Sequence, residues 1–279
     1  MVSASLRSAL GLLRSPAAWL PGIALGGVAA SFLLLQYYLG IFIAERVLIV
    51  LLVLIPFFMA GLLGMVKSGD TGIRSFVAGG TAGYFRVLLP SFVVLFAIFL
   101  TISLLALPLL ALGIGGGALV FMVLTCGFSI LFFTIFYDTA AILEGKTVFE
   151  SIRRSVEFVL RNTHSCVVFY LTCLVVGGAL GLATLLAWTV FLYNRLVPIS
   201  TLTPEEMQSF TPGQFNTLLG WDGIVITAVI FFAGIAVVFS LLYAFKACFY
   251  RDYAGGVPEP TVPDQPQGEY DSKGRWYKY

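Results

Sequence analysis

The sequence predicts an all-α polytopic membrane protein, a bundle of six transmembrane helices with amphipathic elbow helices in the interface. Three observations carry that prediction. The 279 residues are 59% hydrophobic and only 11% charged, well under the roughly 25% charge of a soluble domain, and the mean hydropathy is +0.98. The apolar residues gather into six runs, each long enough for the ~20 residues a membrane crossing needs. Fourteen of the 16 lysines and arginines fall at one end of those runs.

In order, the runs cover residues 17–43, 47–66, 87–112, 118–143, 165–193 and 224–249. Pro21, Pro56, Pro90 and Pro108 mark kinks, whose freed carbonyls neighbouring helices can satisfy. One side collects Arg7, Arg14, Lys67, Arg74, Arg86, Lys146, Arg153, Arg154, Arg161, Lys246, Arg251, Lys273, Arg275 and Lys278. The other side holds only Arg46 and Arg195. The positive-inside rule therefore puts both termini of a multi-pass cell-membrane protein in the cytoplasm. The apolar run after Arg7 and Arg14 continues past Ala29-Ala30 to Tyr38, which favours an uncleaved first span over a signal peptide. Residues 1–253 read as the membrane domain. Residues 254–279 read as a mostly disordered tail, rich at first in Pro and Gly.

The stretch FYDTAAILEGKTVFESIRRSVEFVLRN carries eight of the chain's charges. Gly145 suits a left-handed helix end. Thr147 and Glu150 have the spacing of a capping box, so a new helix starts there. Its apolar residues Val148, Phe149, Ile152, Val156 and Val159 recur at helical spacing, with Glu150, Arg153, Arg154, Glu157 and Arg161 opposite. Glu150–Arg154 and Glu157–Arg161 are i,i+4 pairs in the favourable order. The helix reads as an interfacial elbow whose charges form a solvated face near headgroups, or a docking face for a protein partner or anionic lipid. An Arg-Ser pair with a later Arg recurs: Arg7-Ser8 to Arg14, Arg74-Ser75 to Arg86, and Arg154-Ser155 to Arg161. The chain thus reads as up to three repeats, each an elbow followed by two spans, although Gly79, Gly80 and Gly83 weaken the middle elbow. Arg7, Arg14, Arg74, Arg86, Arg153, Arg154 and Arg161 are the candidate lipid or docking face.

Asp138 lies in the fourth run, roughly 10 Å before Gly145 at 1.5 Å per residue. An ionised carboxylate at that depth needs a partner, a polar cavity or a proton. Lys246 sits near the same end of the sixth run and is the candidate partner; Arg153 or Arg154 folding back is the competitor. Gly22–Gly26 and Gly177–Gly181 fit the small-xxx-small pattern of close helix approach, more simply within the chain than between chains. Gly113–Gly117 fits too, but falls in a loop.

No catalytic motif is present. His164 is the one histidine, and no nucleophile elbow, zinc-binding helix, P-loop or dinucleotide fingerprint occurs. Cys126, Cys166, Cys173 and Cys248 have no metal or disulfide spacing and read as packing residues. The sequence implies no enzyme activity, no cofactor and no metal. A net charge of +2 implies no nucleic-acid partner. In the external segment 194–221, Thr203-Pro204-Glu205-Glu206 opens a short helix, and Met207, Phe210, Phe215 and Leu218-Leu219 lay this loop on the outer membrane surface or, alternatively, as a lid over an external cavity. In the tail, Tyr270, Arg275, Trp276 and Tyr277 surround the turn-forming Asp271-Ser272-Lys273-Gly274, as a small hairpin or as a basic aromatic motif resting on headgroups.

The long charged stretch, with Phe249-Tyr250-Arg251-Asp252-Tyr253 closing the last run, resembles a family of euryarchaeal multi-span membrane proteins known as a domain of unknown function. Its E-G-K, R-R-S and L-R-N pieces are also similar to the membrane domain beside some glycerophosphodiester phosphodiesterases. The resemblance implies an archaeal cell-membrane protein. It implies no activity and no site residues, and no phosphodiesterase catalytic domain accompanies these spans. Two function classes follow: a non-enzymatic membrane scaffold or assembly factor in contact with lipid, or a small-solute or lipid transporter with Asp138 in its path.

Overall fold

The computed structural model describes residues 2–113, 116–200, 211–254, 268–270 and 276–278. It is an all-α bundle in which six helices are long and apolar enough to cross a membrane. The short α1 (Val2–Leu12) leads through one 3-10 turn (Pro16–Trp19) into α2 (Leu20–Leu39). Then come α3 (Ile41–Ser68), α4 (Ile73–Ala111), α5 (Gly117–Thr134) and α6 (Tyr137–Leu143). The elbow α7 (Val148–Arg161) precedes α8 (Thr163–Phe191), α9 (Tyr193–Ser200) and α10 (Pro212–Ala254). Gly220, at φ 62°, breaks α10 near its start. Two short strands, Gly268–Tyr270 and Trp276–Lys278, pair antiparallel.

Several boundaries differ from the sequence reading. The first turn sits at Gly40, whose φ of 79° only glycine adopts readily, so Glu45 and Arg46 belong to α3. Arg46 remains near the helix end by donating to the Phe42 carbonyl at 3.0 Å and lying over the Phe42 ring. The middle elbow is not a separate helix, because Ile73–Ala111 runs unbroken over 39 residues. Its glycines fit there by packing: a Cβ on Gly79 would meet the Gly64 backbone at 2.8 Å. Close approach of α3 offsets their poor helix propensity. The helix predicted at residues 203–206 lies outside the described residues.

The bundle is tight at one end and thin at the other. One continuous core joins Ala9, Leu62, Leu63, Met65, Val66, Phe76, Phe136, Phe158, Phe169, Phe245 and Ala247–Tyr250 at the end that carries α1, α7 and, among the described residues, nearly all the basic side chains. The Phe136 ring lies 5.0–5.8 Å from those of Phe158, Phe169, Phe249 and Tyr250. Each such pair contributes about 0.5–1.5 kcal/mol beyond area burial. This packing matters because lipid tails are as apolar as the side chains, so contact rather than exclusion from water holds spans together. At the other end a smaller cluster of Leu192, Leu219 and Ile224 forms. Val94 is the last buried residue of α4, and among the described residues α5 buries none before Thr134.

Gly22 and Gly26 seat α2 directly on α10. A Cβ at Gly26 would stand 2.6 Å from the Phe232 carbonyl oxygen, whereas one at Gly27 would meet nothing. Gly26→Ala should therefore cost about 1–3 kcal/mol through overpacking, and Gly27→Ala should leave the melting of the detergent-solubilised protein within about 1 kcal/mol of the parent; thermal unfolding of the two variants side by side checks this.

Candidate polar site at the α6–α7–α10 junction

The fourth span is interrupted between α5 and α6, at Ile135-Phe136. The break frees backbone groups that a membrane interior cannot hydrate. Ser155, on the buried face of α7, satisfies two of them. Its hydroxyl donates to the Phe133 carbonyl at 2.8 Å and accepts the Phe136 N–H at 3.1 Å. Tyr170 of α8 donates to the Phe132 carbonyl at 2.5 Å, and Thr139 to that of Phe136 at 2.7 Å.

The restart places Asp138 in the first turn of α6, where the helix dipole favours a carboxylate. Asp138 is fully buried. Lys246 Nζ stands 2.6 Å from its Oδ1 and 2.7 Å from its Oδ2. Tyr243 donates to Oδ2 at 2.8 Å, and the Thr139 N–H to Oδ1 at 2.7 Å. Neither Arg153 nor Arg154 folds back to Asp138. Lys246 also lies 4.9 Å from the Tyr243 ring centroid, a cation–π distance.

A second, parallel arrangement sits where α6 ends. Glu144 pairs with Arg154 Nε at 2.8 Å and accepts from Tyr250 at 2.6 Å. Tyr243, Lys246 and Tyr250 are spaced i, i+3 and i+7, so one stripe of α10 serves both carboxylates. Lys67 of α3 closes the end of α6 by donating to the Ile142 carbonyl at 2.7 Å, a favourable place for a cation on the helix dipole.

This geometry corrects the expected solvated face of α7. Arg154 is only 6% exposed and turned inward, because Glu144 offers it a carboxylate and the helix end needs that carboxylate neutralised. Burial pulls the Arg154 guanidinium down, but hydrogen bonding and charge from Glu144 outweigh it, and the net shift is upward. One of its nitrogens, Nη1, has no hydrogen-bond partner among the described residues. The anticipated Glu150–Arg154 pair is replaced by the capping box, in which the Thr147 N–H donates to Glu150 at 3.0 Å. Arg153 instead pairs with Glu157 at 2.7 Å. Arg7, Arg14, Arg74, Arg86, Arg153 and Arg161 are exposed. In the tail, Tyr270 opposes Trp276 and Glu269 opposes Tyr277; Arg275 lies outside the described residues.

Over residues 1–253 the chain matches the family model described as a domain of unknown function, DUF7847. The chain belongs to that family. The matched DUF7847 region contains all six spans and both polar arrangements. No curated protein and no solved structure matches the chain.

No local pattern marks Glu144, Tyr243, Tyr250, Ser155 or Lys67 as members of a polar site. Only the α10 stripe left a readable signal, in its spacing.

Ser155→Ala should leave two buried backbone groups unsatisfied and cost about 1–3 kcal/mol, read as a lower melting temperature. The hydrogen bond from Thr147 holds the Glu150 carboxyl below its usual range. Its contribution is therefore complete above the unfolded value of about 4.3 and is lost as pH falls through the lower folded value. Amide exchange at the start of α7 should accelerate over that acid range in the parent, and this Glu150-dependent step should vanish in Glu150→Gln.

Proposed function

We propose that this protein is a non-enzymatic membrane scaffold or assembly factor that works in contact with lipid, with both termini in the cytoplasm. The orientation rests on the positive-inside asymmetry, since, among the described residues, the end bearing α1, α7 and the last turns of α10 holds nearly all the lysines and arginines. The archaeal cell membrane as its location is carried by the resemblance alone. Exposed arginines on α1, α4 and α7 supply contacts for anionic lipid or a protein partner.

One observation carries the choice of scaffold over transporter. Asp138 is sealed from solvent and accepts from Lys246, Tyr243 and Thr139 at once. A carboxylate that loads and releases a proton or solute must exchange partners in each cycle. This one is held by donors from two helices, and Lys246 already neutralises it. Such a pair fixes helix register more readily than it carries cargo.

Breaking the pair from one side leaves a buried charge unpaired. Asp138→Asn and Lys246→Met should each cost about 3–5 kcal/mol, and the double replacement should recover most of that loss, read by melting in detergent. A transporter predicts otherwise. If Asp138→Asn folds and melts like the parent yet abolishes a proton-dependent flux in proteoliposomes, the scaffold reading fails.

A further inference from the structure

A groove of about 470 Å³ opens between α3 and α4 beside the end of α6. Its α4 wall is the stripe Ser75, Ala78, Gly79, Ala82, Gly83 and Arg86, at i, i+3, i+4 spacing. Small residues make that wall low, and the close Gly64–Gly79 contact forms its floor. Lys67 and Arg86 supply two cations, and no acidic side chain lines the groove.

The nearby carboxylates are occupied. Glu144 is held by Arg154 and Tyr250, and Asp70 accepts the Gly72 N–H at 2.9 Å. Lys67 spends one of its three N–H bonds on the Ile142 carbonyl. Arg86 extends toward Gly145 and has no ion-pair partner among the described residues. At the mouth, Ser68 donates to the Met65 carbonyl at 3.3 Å and accepts from Ser75 at 2.8 Å, so both hydroxyl hydrogens are already used. Two cations without an ion-pair partner among the described residues, each with N–H groups to spare, are a donor set for a phosphate.

The surroundings decide which phosphate. Phe85 and Leu89, neighbours of Ala82 and Arg86 on α4, are 64% and 48% exposed. They continue the groove as an apolar surface toward the bilayer interior. We propose that the groove binds the headgroup of an anionic phospholipid: Lys67 and Arg86 hold the phosphate, and an acyl chain lies along Phe85 and Leu89. Basic pockets between spans at the cytoplasmic face are the usual place for such headgroups. This site deepens the lipid-contact part of the proposed function and rests on the orientation given there. It does not depend on Asp138.

The test uses the full chain purified in detergent, with phosphatidylglycerol, phosphatidylcholine or inorganic phosphate added. Bound lipid is read by native mass spectrometry and stabilisation by thermal shift. Phosphatidylglycerol should remain bound and raise the melting temperature; phosphatidylcholine should do neither. Arg86→Gln should weaken phosphatidylglycerol binding about fivefold and Lys67→Gln with Arg86→Gln about 25-fold, taking roughly one charge-worth per residue. Ala82→Phe, which fills the groove and keeps both cations, should abolish binding, so a misfolded charge variant does not decide the matter.

Equal binding of phosphatidylcholine overturns the proposal, as does unaltered phosphatidylglycerol binding in Arg86→Gln or Ala82→Phe. Displacement of the lipid by millimolar phosphate overturns the headgroup assignment in favour of a free anion. A loss in Arg14→Gln as large as in Arg86→Gln overturns the groove in favour of diffuse surface charge. A flux abolished by Asp138→Asn would sink the scaffold while leaving these readings intact.

Discussion

Burial of the Asp138 carboxylate inside a membrane span is the constraint around which this bundle is arranged. A charge there cannot be hydrated, so protein must surround it with donors. Lys246 and Tyr243 must come from α10, and the Thr139 N–H becomes available because the helix restarts just before it. The restart in turn exposes backbone groups at Phe133 and Phe136, which bind Ser155 and so draw α7 against the span. Once α7 is docked, Arg154 faces Glu144, and Glu144 gives Tyr250 its partner. One costly residue thus organises an interrupted helix, an elbow and the last span.

The two ends of the molecule follow different packing rules. At the basic end, rings from α7, α8 and α10 interlock around Phe136, and glycine contacts bring α2 onto α10 and α3 onto α4. Toward the other end, α4 and α5 carry large exposed side chains such as Phe96, Phe99, Phe121 and Phe128. Those surfaces cost little in lipid, since hydrocarbon solvates them as well as protein does. Tight packing is concentrated where charge is buried, and the proposed headgroup groove opens beside that packed end.

The sequence was read well where physics is local. Six apolar runs and the Thr147–Glu150 cap depend on residues within a turn or a span, and the structure has them. The left-handed Gly145 is the same case, with φ at 71°. It was read less well where the deciding partner is remote. Arg154 looked like one more charge on a polar stripe, because nothing near it announces that Glu144 will take it inward. Ser155 looked unremarkable for the same reason, since its partners lie 19 and 22 residues away. The middle elbow differs for another reason: its glycines lower helix propensity, but their spacing lets α3 approach closely.

The separation of the partners in sequence has a consequence for biosynthesis. Asp138 precedes Lys246 by 108 residues and Glu144 precedes Tyr250 by 106. At roughly 5–20 residues per second, a ribosome takes about 5–22 seconds to make the second member after the first. Through that interval the nascent chain holds Asp138 without the helix that neutralises it. Insertion of α10 is therefore the event that neutralises Asp138, and a chain stalled before α10 holds an unsheltered acid within its fourth span.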